Sequence, residues 1–141
     1  MQKIATNKAP KAIGPYSQGI IVGNMIYTSG QIPINPETGE MVEKNIVKQT
    51  HQAINNLSNV LIEGGSCLDN VVKTTVFVKD INDFSTINEI YATYFKNNPA
   101  RSLVEVSKLP KDALIEIECI ALIKWKRRNP LFILLKKKKN H

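Results

Sequence analysis

The chain has 141 residues, room for one domain with a buried core and too few for two. Apolar residues make up 43% and charged residues 22%, with 7 Gly and 7 Pro, which excludes a collagen-like, disordered or disulfide-scaffold chain. The net charge of +7 belongs entirely to the stretch 125–141, whereas the 12 basic and 12 acidic side chains of residues 1–124 cancel, so the body carries no nucleic-acid footprint.

No apolar run approaches the roughly 20 residues that span a bilayer. The first 19 residues, MQKIATNKAPKAIGPYSQG, contain no apolar core of a secretory signal. Cys67 and Cys119 show neither a metal spacing nor a CxxC pair, which predicts two free thiols in a reducing, cytoplasmic setting.

In chain order, residues 18–29 are two short apolar runs around Gly23-Asn24, a hairpin signature because both residues tolerate positive φ. Residues 30–40 form a loop, since Pro33 and Pro36 forbid a central strand or a helix interior. From 45 to 63 the period becomes helical. Val47, Thr50, Ile54, Leu57 and Leu61 make one stripe, flanked by Ala53 and Val60, with Asn45 as N-cap and Gly64-Gly65 as the stop. Lys44, Lys48, Gln52, Asn55, Asn56 and Asn59 fill the predicted wet face, and His51 lies off the stripe.

Residues 70–79 read as a β-branched strand, with Val72, Thr74, Val76 and Val78 on one side and Val71, Lys73, Thr75 and Phe77 on the other. Asn82 or Asp83 caps a second helix with Phe84, Ile87, Tyr91, Tyr94 and Phe95 on one face, ended by Asn97-Asn98-Pro99. Strands at 101–106 and 114–124 close the body. The order ββαβαββ predicts an α+β fold, an antiparallel-rich sheet with two helices on one face. The other sheet face also carries apolar residues, which predicts burial against another subunit.

The last strand, LIEIECIALIK, puts Ile115, Ile117, Cys119 and Ala121 on one face. Glu116, Glu118, Ile120 and Leu122 share the other. A carboxylate among apolar neighbours shifts its pKa or finds a partner. Arg101 is the evident cation, and an antiparallel hairpin over 107–113 would bring it toward this strand; a plain salt bridge and a catalytic pair are both open. Its planar fork also suits a substrate carboxylate. There is no Ser-His-Asp set, phosphate loop, GxGxxG or zinc pattern, so an enzyme of this sequence is expected to work without metal, nucleotide or acyl-enzyme.

The segments IGPYSQG (13–19), TSGQIPINPETGE (28–40), KTTVFVKDINDF (73–84), NPARSLVEV (98–106) and LPKDALIEIECIAL (109–122) together resemble the RidA (YjgF-type) family of reactive-intermediate (enamine/imine) deaminases over residues 2–124. The resemblance implies a chorismate-mutase-like fold, a homotrimer around a central β-barrel, and sites between subunits. It implies hydrolysis of 2-imino or 2-enamino acids, such as 2-iminobutanoate and 2-iminopropanoate, to 2-keto acids and ammonia without a cofactor. Such imines are released by PLP-dependent dehydratases.

Residue by residue, Arg101 is similar to the arginine that grips the substrate carboxylate, and Glu116 to the residue that orients water and handles protons. Tyr16 matches a tyrosine that lines the cleft, Asn88 the helix asparagine near it, and Ser29 and Gly30 the backbone approaching the acid. Leu103 stands where many relatives have cysteine, which removes any thiol role there. Two rival functions stay open: an endoribonuclease or translation inhibitor, and a non-catalytic trimer that senses small carboxylates. Neither nucleic acid nor membrane is an expected partner. The stretch 125–141 is expected to be a basic extension, disordered or loosely packed, outside the 1–124 domain.

Overall fold

The computed structural model describes residues 1–123, so the expectations for the extension 125–141 lie outside the described residues. One sheet holds six strands: β1 (Gln2–Ile4), β2 (Gly19–Val22), β3 (Met25–Thr28), β4 (Val71–Val78), β5 (Ala100–Glu105) and β6 (Ile115–Leu122). Two helices, α1 (Ile46–Glu63) and α2 (Phe84–Tyr94), complete an α+β architecture. The spatial order is β1-β2-β3-β6-β4-β5. Every pair is antiparallel except β4–β5, which α2 joins as a parallel crossover.

Local chemistry sets the helix ends. Asn45 accepts a hydrogen bond from the Lys48 amide, and Gly65 takes φ +87° just past the end of α1. There the amides of Gly65 and Ser66 donate to the carbonyls of Ile62 and Leu61. At the start of α2, Asp83 occupies the cap position without a side-chain bond; Asp80 caps the preceding turn through the Asn82 amide.

Both helices cover the same sheet face. Ala53, Ile54, Leu57, Val60 and Leu61 of α1 and Ile87 and Tyr91 of α2 pack on Ile26, Val76, Val78, Ile115, Ile117 and Ala121. Each such aliphatic side chain contributes about 1.5–3 kcal/mol on burial. On the opposite face Ile20, Val22, Met25, Tyr27, Phe77, Val104, Ile120 and Leu122 are only partly covered, with Val22 50%, Tyr27 46% and Val104 45% exposed.

Four expectations are corrected. The predicted hairpin of the last two strands does not form, because β5 pairs with β4 and β6 lies between β3 and β4. The side assignment at the start of β4 fails because a bulge between Val71 and Lys73 turns Val71 inward and leaves Val72 exposed. Val47 lies outside the buried stripe. Asn56, placed on the wet face, is fully buried, since its amide donates to the carbonyls of Ile32 and Ile34 and anchors the 30–40 loop. β1 is an addition that the pattern did not announce.

Candidate active site

The β4–β5 register opposes Arg101 to Thr74, which is fully buried on the helix-covered face. Arg101 therefore points toward α2. Phe84, Asn88 and Tyr91 are spaced four and three residues apart, which puts them on one strip of that helix. The Asn88 Oδ1 accepts a hydrogen bond of 2.6 Å from the Arg101 guanidinium. The guanidinium carbon lies 4.8 Å from the centre of the Tyr91 ring and 5.6 Å from that of Phe84. Thr74 and Tyr91 share a hydrogen bond of 2.7 Å, and burial pushes the Tyr91 phenol above its ordinary pKa.

Arg101 is half-buried, and it forms no ion pair among the described residues; the two pairs there are Lys44–Asp112 and Lys48–Glu43, both exposed. A guanidinium oriented by a neutral amide and by ring faces keeps N–H groups and full charge available for an outside carboxylate.

The second group of predicted residues assembles around β6. Gln31 and Ile117 exchange backbone hydrogen bonds of 2.8 and 3.1 Å, which draws residues 29–31 alongside the strand. Gly30 then passes directly over Glu116: a Cβ at Gly30 would lie 2.5 Å from the Glu116 Oε2, so only glycine leaves the carboxylate in place. Ser29 is tied down twice, its hydroxyl donating to the Ser17 carbonyl at 2.5 Å and its amide to the Gln18 carbonyl at 2.9 Å.

Gln18 is buried and closes the N-terminal loop by donating to the carbonyls of Thr6 and Pro10. Tyr16 stands half-exposed on that loop, its hydroxyl accepting from the Ile13 amide at 3.2 Å. Tyr16 and Gly30 line one pocket of about 360 Å³, walled by Ile32, Ile34 and Pro110. Burial, and secondarily the Glu118 carboxylate, raise the pKa of Glu116.

The structure thus brings Asn88 to Arg101 and Gly30 to Glu116, with Ser29 next to Gly30 in the chain and Tyr16 on the pocket that Gly30 lines. It does not bring the two groups together within one chain. Arg101 shares the helix-covered face with Thr74 and Cys119, while Glu116, three residues from Cys119, faces the open side. Sequence reasoning missed Tyr91, Phe84 and Thr74 as neighbours of Arg101. The signal for Tyr91 and Phe84 was the helical spacing with Asn88, read only as a core stripe; Thr74 depends on the β4–β5 pairing. Cys119 is buried, its thiol pushed up to about 12, and so is inert. Among the described residues no cluster of His, Cys, Asp and Glu suits a metal, and no helix is long and apolar enough to cross a membrane.

Known proteins resemble this chain in sequence and fold. A RutC family protein of Pyrococcus abyssi is 58% identical over 119 residues, covering 84% of this chain and 94% of the relative. A 2-iminobutanoate/2-iminopropanoate deaminase of Escherichia coli is 53% identical over 123 residues, covering 84% and 95%. The crystal structure of E. coli TdcF with bound serine superposes with a TM-score of 0.83 at 43% identity, covering 86% and 98%. The family model described as Endoribonuclease L-PSP matches residues 6–123. With the fold, the paired motifs and these matches in agreement, the chain belongs to the endoribonuclease L-PSP family, that of the RidA and YjgF-type proteins.

Proposed function

We propose that this protein hydrolyses 2-imino acids, in balance with their 2-enamino tautomers, to 2-keto acids and ammonia. The observation that carries the reading is the Arg101 guanidinium, half-buried, oriented by Asn88 and without an acidic partner among the described residues. The name of the 53% identical E. coli relative supports the substrate class, and serine in TdcF supports a small amino-acid-like ligand.

The working unit in this proposal is a homotrimer. The apolar open face lines a central barrel, and each site joins Arg101 of one subunit to Glu116 of another. Two facts support it: the groups lie on opposite faces of one sheet, and the Arg101 strand is an edge strand with free backbone groups. Arg101, steadied by Asn88, holds the substrate carboxylate, while Tyr16, Ser29 and Gly30 border the acid. Glu116 takes a proton from water as the oxygen bonds to the imine carbon and the C=N pair moves to nitrogen. It returns that proton to nitrogen, giving a carbinolamine, and then carries the hydroxyl proton to the same nitrogen as the oxygen pair forms the ketone, the C–N bond breaks and ammonia leaves. The raised pKa of Glu116 suits a group that must both take and give a proton. In this proposal the deaminase domain comprises residues 1–124, and deleting residues 126–141 is expected to leave the chemistry intact.

A coupled assay tests the proposal: a threonine dehydratase releases 2-iminobutanoate, and its decay is followed with and without the protein. Faster decay supports the deaminase, and an unchanged rate rejects it. The endoribonuclease reading rests on the family model's description; the balanced charge of residues 1–124 offers little phosphate neutralisation for it.

A further inference from the structure

We propose that Tyr91 is a positioning residue for the Arg101 anchor, its ring a fixed platform that sets where the guanidinium meets a carboxylate. The proposal rests on the reading of Arg101 given above. Three contacts converge on it. The ring centre lies 4.8 Å beneath the guanidinium carbon, within the range of a cation–π contact. The hydroxyl is fixed by Thr74 at 2.7 Å, and Thr74 is the strand residue directly opposite Arg101. The Phe95 ring stacks against it, with centroids 4.3 Å apart.

Tyr91 is 8% exposed and Thr74 fully buried, so the platform is closed to water, where a ring face attracts a cation most strongly. The arrangement solves a particular problem. A carboxylate placed under Arg101 would orient it equally well but would neutralise the charge that the ligand needs. A neutral amide at Asn88 and an aromatic face at Tyr91 orient the fork and leave the charge unspent. Arg101 is thus held from the side by Asn88 and from below by Tyr91, one turn apart on α2.

The test measures two things on the full-length protein: the dissociation constant for 2-oxobutanoate, by titration calorimetry, and the kinetics of 2-iminobutanoate decay. Tyr91→Met keeps an adaptable apolar side chain and removes the ring face. It is expected to weaken 2-oxobutanoate binding and raise KM by about three- to thirty-fold, with kcat changing much less. Tyr91→Phe restores the ring and recovers most of that loss, leaving about a twofold deficit from the missing Thr74 bond. Pentafluorophenylalanine incorporated at position 91 keeps the shape of Phe and withdraws charge from its face. It behaves like Tyr91→Met if the platform acts on the cation, and it keeps the proposal testable should Tyr91→Met fail to fold.

In an Arg101→Gln background the Tyr91→Met change adds nothing further to the 2-oxobutanoate affinity. Fluorination without effect overturns the proposal, and so does an undiminished Tyr91→Met effect in the Arg101→Gln background, since either means the ring serves packing alone. Wild-type protein that binds 2-oxobutanoate but leaves the imine untouched rejects the deaminase reading and not the platform. Absence of wild-type binding to 2-oxobutanoate rejects both the anchor and the platform.

Discussion

The two faces of the sheet carry similar strand chemistry and end differently. On one, alternate residues of β4 and β6 (Val76, Val78, Ile115, Ile117 and Ala121) disappear under two helices. On the other, Phe77, Ile120 and Leu122 meet Tyr27 and Val104 with no helix or further strand among the described residues packed above them. The intramolecular face is finished by local sequence, because both helices carry their own apolar stripe. The open face is finished only by another molecule in the proposed trimer. The same division separates the polar groups. The cation is set into the helix-covered side, and the carboxylate is raised on the open one. A sheet thereby separates the two halves of the proposed site, which only the proposed trimer would join.

Breaking the open face should have the largest effect. Ile120 pairs with Tyr27 on one side and Lys73 on the other, in the middle of that face. Ile120→Glu puts a third carboxylate beside Glu116 and Glu118 on the same strand. Sedimentation velocity is expected to shift from trimer to monomer, with hydrolysis lost and the far-UV spectrum kept. A trimeric, active Ile120→Glu protein would separate assembly from this face.

Removing one half of the site comes next. Arg101→Ala takes away a charge-assisted anchor worth roughly 2–4 kcal/mol, about 30- to 900-fold in kcat/KM, and leaves the trimer in place. Glu116→Gln keeps shape and hydrogen bonding but cannot accept a proton; turnover falls by about 100-fold or more, with the 2-oxobutanoate affinity little changed. An opposite result, affinity lost and turnover kept, would exchange the roles of the two residues.

The helix-covered face answers in stability. Leu57 is fully buried among α1, α2 and the sheet. Leu57→Ala is expected to cost about 2–5 kcal/mol, read by chemical denaturation, while kcat at low temperature stays near wild type. Equal loss of stability and turnover would tie the site to the core rather than to the interface.

The elements were legible where neighbours in sequence decide them. The Asn45 cap, the Gly64-Gly65 stop and the alternation of 115–122 appear as read. Pairing was not legible, because it joins residues far apart in the chain. Nothing local in RSLVEV says that it runs parallel to β4, and that single fact moves Arg101 from the side of Glu116 to the side of Tyr91. β1 is three residues long, below the reach of any period. Asn56 misled for a related reason: its partners are carbonyls of a loop 22–24 residues away, so its polarity matched a wet face while its contacts required burial. Of the candidate site residues, types and motifs were readable and their grouping was not.

The smallest effect lies in the pair Glu116 and Glu118. Burial raises the pKa of Glu116 first, and the Glu118 charge adds to it. Glu118→Gln removes only the second cause, so the pKa of Glu116 falls part of the way toward its ordinary value. If Glu116 is the base, the acid limb of the pH–rate profile moves to lower pH in Glu118→Gln, with a modest change in the plateau. Stability follows the same sign. A carboxyl whose folded pKa is raised favours folding below its unfolded value near 4.5 and loses that contribution as pH rises through the folded value. Glu116→Gln is therefore expected to raise the Tm at neutral pH relative to wild type. The gain should shrink as pH falls and vanish once Glu116 is protonated in both states. An equal Tm difference at acid and neutral pH would show that the substitution acts through packing, whereas a Tm lowered at neutral pH, with the loss shrinking as pH falls, would show that a cation of the neighbouring subunit pairs the carboxylate.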